Sequence, residues 1–187
     1  ILAPMVRRDF LGGALLAGGF AARPLGAAEE AGWPKMRPVK IHVVYLGLRG
    51  AWPKPEFDAP AEVAKFDKYL AGVAARLGDV EFVGHELIAN RPEAVDPVIA
   101  KLGDADAILL IHLAFGSSLP MRKFVDTGLP VVIFSQPFSG HDWMYIPRWQ
   151  KEGARVVLIP SSDYADLDRA VALLRVPARL KSSRVIL

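Results

Sequence analysis

Short apolar runs recur along the chain after residue 40, and each is followed by a segment whose apolar residues are spaced three or four positions apart. A continuous apolar run rich in β-branched residues is typical of a strand buried on both faces, whereas the wider spacing is typical of an amphipathic helix. The pattern therefore predicts strands and helices in alternation. The predicted strands are residues 40–48, 80–88, 107–115, 130–136 and 155–160.

The first predicted helix, over 58–77, has clear start and stop signals. Asp58 is placed to cap its N terminus, Pro60 fits its first turn, and Gly78 ends it. Its apolar face is predicted to contain Val63, Phe66, Leu70, Val73 and Leu77. Further helices are predicted over 92–102, over 119–127, within 139–153 and over 163–174, the last of them capped by Ser162 or Asp163.

The alternation predicts an α/β fold: a three-layer, doubly wound sheet of about five parallel strands, of the flavodoxin or Rossmann-like type. We assign this domain to residues 40–176. Residues 177–187 are predicted to be a connector, 177–183, followed by the start of a strand at 184–187. That strand begins a following domain or, alternatively, adds a sixth or edge strand to the same sheet.

Residues 1–28 have the layout of a secretory signal: paired arginines, a short Gly- and Ala-rich apolar run, and small residues suited to cleavage. The run is too short to cross the roughly 30 Å hydrocarbon core of a bilayer as a helix. The pattern formed by Arg7, Arg8, Phe10 and Leu11 resembles the twin-arginine signal. That resemblance implies a periplasmic or exported protein that engages the twin-arginine export machinery; a disordered basic N terminus is the alternative. Residues 29–39 are predicted to be a linker.

Composition limits the binding partners and the kinds of site that the chain is expected to have. The chain has 187 residues, of which 52% are hydrophobic and 23% charged, which suits one well-buried core. Its net charge is +3; without residues 1–28, which hold three arginines and one aspartate, 20 basic and 19 acidic side chains remain. No basic stripe with interleaved aromatics is present, so nucleic acid is not an expected partner. The lack of cysteine excludes disulfides, thiolate metal sites and cysteine nucleophiles.

Ligands of open parallel sheets bind beyond the C-terminal ends of the strands. The loops predicted to lie there are 49–57, 115–119, 135–149 and 161–164. None of them carries a dinucleotide-binding glycine motif, a P-loop or a G-x-S-x-G nucleophile motif, and the first lacks the Ser/Thr-rich phosphate loop of flavodoxins. The sequence therefore does not support a nucleotide, flavin or serine-hydrolase function.

The loop after the fourth strand is the richest in candidate ligand-binding groups. Gln136 has both donors and acceptors, and His141 is able to transfer a proton near neutral pH. The flat faces of Trp143, Tyr145 and Trp149 suit stacking on sugar rings, so the mixture predicts a site for a polyhydroxylated ligand. In the structural alternative the aromatics pack on the sheet and His141 is a satisfied loop residue. Asp142 is placed either to orient His141 or to cap a helix or turn.

The other histidines point to no metal site. His42 and His112 lie inside apolar strands and are predicted to be core residues with a backbone partner, while His85 is predicted to face solvent. No two histidines have the i, i+4 spacing of a metal pair, and no carboxylate cluster accompanies them, so we expect no metal ligands in this chain.

The stretch DAILLIHLAFGSSLPMRKFVDTGLPVVIFSQPFSGHDWMYIPRWQKEGARVVLIPSS, residues 106–162, resembles part of the N-terminal domain of the L-fucose/L-arabinose isomerase family. The likeness covers about residues 40–187 and lies in the order of elements and in the Gln…Gly-His segment after the fourth strand. These enzymes interconvert aldoses and ketoses with a divalent metal, usually Mn²⁺, which a later domain holds. The resemblance implies no catalytic residue and no cofactor in this chain, with Mn²⁺ expected in the full-length protein.

In that family the N-terminal domain lends loops to a neighbouring subunit, so the resemblance implies a homo-oligomer that binds a small-molecule sugar. Carried onto this sequence, it places Gln136, His141 and Phe115 against substrate, and the loop pattern adds Trp143. The expected function is that of a domain of an exported sugar isomerase-like protein that is not catalytic alone. The alternatives are a non-catalytic periplasmic binding module for a small polar ligand and an assembly domain.

Overall fold

A parallel five-stranded sheet forms the core of the part of the chain that the structure describes. The computed structural model describes residues 36–47 and 56–183. Among these residues the strand order is β2-β1-β3-β4-β5, and every neighbouring pair is parallel. The strands are β1 (Val39–Leu46), β2 (Val80–Ile88), β3 (Ala107–His112), β4 (Val131–Ser135) and β5 (Val156–Pro160). The predicted fold class is therefore confirmed, and the order is that of flavodoxin-like sheets.

Helices cover both faces of the sheet. One face carries α1 (Ala59–Leu77) and α5 (Asp166–Ser182), and the other carries α2 (Asp96–Ile99), α3 (Ser118–Val125) and α4 (Ile146–Lys151). Alternate residues of each central strand enter the two apolar clusters, as Val43 and Val44 of β1 do. Burial on both faces is the reason that these strands read as continuous apolar runs.

The capping of α1 follows the prediction. The Asp58 carboxylate accepts a hydrogen bond from the Ala61 backbone N–H at 3.1 Å. Gly78 ends the helix in the left-handed conformation, with φ at 67°, and its N–H closes on the Ala74 carbonyl. Phe66, Leu70 and Val73 are buried as expected, whereas Leu77 at the last turn is partly exposed. Local signals decide this element because each of them acts within one helical turn.

The helix predicted over 92–102 is interrupted, whereas the one predicted within 139–153 is present as α4. The segment 92–102 forms a 3₁₀ turn, Pro92–Ala94, followed by the single helical turn of α2, because Pro97 has no N–H to donate within a continuous helix. The segment after β4 forms a longer 3₁₀ stretch, Pro137–Tyr145, before α4 begins. Pro147 lies in the first turn of α4, where a missing N–H removes no intrahelical bond.

The predicted connector at 177–183 is wrong, because α5 continues through Pro177 to Ser182. Arg175 and Arg179 on either side of the proline both donate to Asp79 Oδ2, at 2.6 and 2.7 Å. These bonds hold the last turns of the helix against the loop before β2. At its start, α5 begins at Asp166, and Asp163 instead forms a turn by accepting the Ala165 N–H at 2.9 Å.

The predicted signal at 1–28, most of the predicted linker, the loop 48–55 and the predicted strand at 184–187 lie outside the described residues. Among the described helices, none is both long and apolar enough to cross a membrane.

Candidate functional site

The loops after β3 and β4 meet at the C-terminal end of the sheet. We call residues 113–117 and 136–145 together the rim. His112 and Ser135 end neighbouring strands and stand opposite each other in the β3–β4 register, so the loops that follow start side by side. The order β2-β1-β3 also places the reversal of chain winding between β1 and β3, which is where ligands of this fold class bind.

The rim contains all four residues predicted to contact a ligand. Phe115 and His141 are both exposed, and their rings meet edge to face with centroids 5.1 Å apart. Trp143 is half-buried, and its indole N–H donates to Ser135 Oγ at 2.6 Å. Gln136 is only 8% exposed. The structure thus brings Phe115 and His141 into contact and uses the polar edge of Trp143 within the protein.

The side-chain amide of Gln136 stands out because no described residue hydrogen-bonds it. The backbone of Gln136 is engaged: its N–H reaches the His112 carbonyl at 3.4 Å, and its carbonyl accepts from the N–H and hydroxyl of Ser139. The amide oxygen and nitrogen of Gln136 are not among the fully buried unpaired atoms of the described residues, so they still meet solvent although most of the side chain is buried. The amide therefore offers the rim an unused donor and acceptor for a ligand.

A buried polar network lies directly beneath the rim. His112, Ser117, Ser135, Ser139 and Asp142 are all buried. His112 Nδ1 lies 2.8 Å from Ser135 Oγ, and Ser135 Oγ lies 3.1 Å from Ser139 Oγ. The prediction that His112 has a backbone partner is therefore wrong, because its ring nitrogens face side chains of the β4 strand and loop.

Asp142 joins the two loops of the rim. Its Oδ2 accepts the Ser117 backbone N–H at 2.8 Å, just before α3 begins, and lies 3.2 Å from His112 Nε2. The approach of Nε2 is poorly aligned for a hydrogen bond, so the two side chains are in close contact without forming one. Asp142 thus binds the backbone just before α3, a helix without a side-chain cap of its own, and contacts His112 in the core where one predicted alternative had it orient His141.

The environment keeps Asp142 ionised. Burial by itself raises the pKa of this carboxyl, but the His112 side chain and the backbone N–H groups of Ser117 and Gly116 outweigh that effect and lower the pKa below its ordinary value. A charged Asp142 is the form that holds the Ser117 N–H most strongly. The charge therefore fixes the β3 loop to the β4 loop.

Ser135, His112 and Asp142 form a serine–histidine–aspartate chain, yet its geometry does not suit a nucleophile. Ser135 is fully buried, and its Oγ already contacts Trp143 Nε1, His112 Nδ1 and Ser139 Oγ. A substrate carbonyl has no path to this oxygen in the conformation described. The chain acts as a rigid base for the rim.

The remaining aromatics of the loop divide between packing and exposure. Trp149 is buried in the core under Arg122, whose guanidinium carbon lies 5.8 Å from the ring centre, and Tyr145 stacks on it at 6.3 Å. Leu119 and Met144 are mostly exposed near the rim. Trp149 is therefore a structural residue, while Tyr145 keeps one exposed side.

The histidines of β1 and β2 pair with carboxylates. His42 is buried with Nε2 2.9 Å from Glu86 Oε2, so its predicted backbone partner is wrong. His85 is half-buried with Nδ1 2.6 Å from Asp67 Oδ1, where the prediction had it facing solvent. Within the described residues no group of three or more His, Asp or Glu side chains is arranged to hold a metal ion.

Sequence reasoning missed the buried network and the His85–Asp67 pair. A usable signal for the network existed, because polar residues end two apolar strands at His112 and Ser135. The partner Asp142 has no such signal, since it lies 30 residues from His112 along the chain.

No protein-family model, curated protein or solved structure matches this chain. The isomerase resemblance therefore stays a prediction, and the geometry of the rim carries the functional argument.

Proposed function

We propose that this chain is the N-terminal α/β domain of an exported sugar isomerase-like protein, and that its rim contacts the sugar. The observation that carries the proposal is the Gln136 side chain, which is held in the rim at 8% exposure while its amide has no hydrogen-bond partner among the described residues. Catalysis and the Mn²⁺ that the resemblance implies belong to another part of the full-length protein. The chain supplies binding contacts and is not catalytic alone.

A polyhydroxylated ligand matches the groups that the rim presents. Sugar hydroxyls both donate and accept, and so does a glutamine amide. Phe115 is 45% exposed and its ring contacts the His141 ring. We propose that the apolar C–H face of the sugar packs on Phe115 while a neighbouring hydroxyl hydrogen-bonds the His141 imidazole. The His112–Asp142 network beneath holds both loops in place, which lowers the ordering cost of binding.

The same rim supports the proposed homo-oligomer. Phe115, Leu119, Met144 and Tyr145 are exposed apolar side chains that follow β3 and β4. Exposed apolar residues grouped beside a polar site are typical of interaction surfaces. A second subunit that covers them shields the sugar from water and completes the site with groups from its own catalytic domain.

The test uses the whole protein encoded by the reading frame that contains this chain. Aldose–ketose conversion and binding are measured with Mn²⁺ over a panel of pentoses and deoxyhexoses, for the wild type, Gln136→Ala, His141→Ala and Gln150→Ala. Gln150 lies in α4, outside the rim, where its amide donates to the Val156 carbonyl of β5, and it serves as the matched control. We expect Gln136→Ala and His141→Ala to weaken sugar binding about tenfold or more and Gln150→Ala to leave it unchanged.

The outcomes separate the proposal from its alternatives. Unchanged turnover in His141→Ala removes His141 from the mechanism, and unchanged affinity in Gln136→Ala refutes the proposed site. Sugar binding without conversion favours the binding-module alternative. No binding of any sugar by the wild type refutes both.

A further inference from the structure

The edge strand β2 contains a bulge whose extra residue is a histidine. Val43 pairs with Gly84 and Val44 pairs with Glu86, so His85 has no partner in β1. Gly84 and His85 both have positive φ, at 88° and 66°, and His85 is the one non-glycine residue with positive φ in the part of the chain that the structure describes. A bulge redirects a side chain that would otherwise follow the alternation of the strand.

Glycine is required at the first bulge position. A Cβ on Gly84 would lie 2.7 Å from Glu86 Oε2 and closer still to His42 Nε2, so both the φ and the crowding demand glycine. The crowding fixes the bulge, and the bulge turns His85 towards helix α1. There His85 Nδ1 lies 2.6 Å from Asp67 Oδ1.

Asp67 also accepts a hydrogen bond from the core. The Tyr45 hydroxyl donates to Asp67 Oδ1 at 2.5 Å, and burial above all raises the pKa of this phenol, so it stays protonated. Because Asp67 accepts, His85 donates from Nδ1. No described residue hydrogen-bonds the other two polar atoms of the pair, His85 Nε2 and Asp67 Oδ2.

The pair faces a groove of about 480 Å³ between α1 and the start of β2. Its apolar lining includes Ala71 and Ala74 of α1 and Phe82 of β2, and Asp67 contributes a carboxylate. Glu81 borders the groove as well, but it alternates with Phe82 along β2, so its side chain points to the other face of the sheet. The volume lies in the range of about 300–1,000 Å³ that small-molecule sites occupy. The groove is thus apolar with one carboxylate and one imidazole.

The positive φ of His85 does not make the folded protein more stable. A histidine in the left-handed region is unfavourable, and the side chains of His85 and Asp67 are 32% and 38% exposed, so solvent weakens the bond between them. Strained residues of this kind concentrate at ligand sites, where the surrounding structure holds them in position.

We propose that this groove, the His85 groove, binds a small organic cation that carries a primary ammonium group on an apolar body. The ammonium group pairs with Asp67 Oδ2 and donates to His85 Nε2, and the apolar body lies along Ala71, Ala74 and Phe82. The site is separate from the rim and does not depend on the proposed sugar function.

Benzylamine and benzyl alcohol are the probes, because they share shape and differ in the ammonium charge. Binding to the folded chain is followed by amide chemical shifts in a ¹H–¹⁵N spectrum at low salt. We expect saturable shifts in α1 and β2 with benzylamine and none of comparable size with benzyl alcohol. Absence of saturable benzylamine binding, or equal binding of the alcohol, overturns the proposal.

Four variants separate recognition from folding. His85→Gly keeps the positive φ without strain and should fold at least as well as the wild type while losing benzylamine affinity about tenfold or more. Asp67→Asn and Ala71→Leu should weaken binding by removing the charge and by filling the groove. Glu93→Gln removes a charge beyond the other face of the sheet and should have no effect. Wild-type affinity in folded Asp67→Asn or His85→Gly refutes the site.

Discussion

Replacing Asp142 by alanine tests whether the buried network holds the rim together. The substitution leaves the buried Ser117 N–H without its charged acceptor and removes the side chain that lies 3.2 Å from His112 Nε2. Orphaning a buried N–H whose acceptor was a carboxylate costs about 3 kcal/mol, and the buried space that the carboxylate vacates adds about 1 kcal/mol. We therefore expect a total of about 4 kcal/mol, a large part of a typical domain stability of about 5–15 kcal/mol.

Urea unfolding followed by far-UV circular dichroism measures this loss. At a typical slope of about 2 kcal/mol per molar urea, the midpoint should fall by about 2 M. Asp163→Ala is the matched control, because Asp163 also accepts a backbone N–H, from Ala165 at 2.9 Å, but in an exposed turn. That control should cost about 1 kcal/mol. The reasoning is refuted if Asp142→Ala lowers the midpoint no more than Asp163→Ala does.

The pKa of Asp142 gives the same prediction a pH dependence. The folded-state pKa is lowered, so its contribution is complete above the ordinary value of 3.8 and disappears as the pH falls through the lower folded-state pKa. The difference in unfolding free energy between wild type and Asp142→Asn should therefore shrink as the pH falls below 3.8. A difference that stays constant across that acid range contradicts the assignment.

Three further substitutions test the fold. Gly84→Ala should destabilise the protein by roughly 2–5 kcal/mol, because of the positive φ and the clash of the new Cβ with His42. Gly72→Ala in α1 should stabilise it by about 0.5–1 kcal/mol, because its Cβ would meet only Arg76 Nη1 at 3.6 Å. Thermal unfolding compares the two variants, and equal effects contradict the bulge argument. Asp79→Ala removes the carboxylate that accepts from both Arg175 and Arg179 of α5. The substitution should lower the free energy of unfolding by about 1–2 kcal/mol and speed amide hydrogen exchange in the last turns of α5. Unchanged exchange in those turns shows that the helix continues past Pro177 without these bonds.

The strands and the first helix were predictable because their causes are local. Because β3 and β4 are buried on both faces, nearly every residue in them is apolar. The ends of α1 depend on Asp58 and Gly78, which bond backbone groups within one helical turn. The order of apolar strands and amphipathic helices then leaves a doubly wound parallel sheet as the natural arrangement.

The rim was predictable in part. Because ligands of this fold class bind beyond the C-terminal ends of the strands, the residues after β3 and β4 were candidates from their position alone. The contact of Phe115 with His141 and the burial of Gln136 depend on how two loops 20 residues apart approach each other. Spacing along the chain contains no measure of that approach.

Sequence by itself determined the five strands and the first helix of this protein and at which end of the sheet its polar loops gather, because hydrophobic periodicity and capping act over a few residues. Tertiary structure alone decided that Asp142 contacts His112, that α5 passes through Pro177, and that a crowded Gly84 turns His85 onto Asp67. Each of these depends on atoms brought together from distant parts of the chain, and the packing of the whole sheet sets their distances.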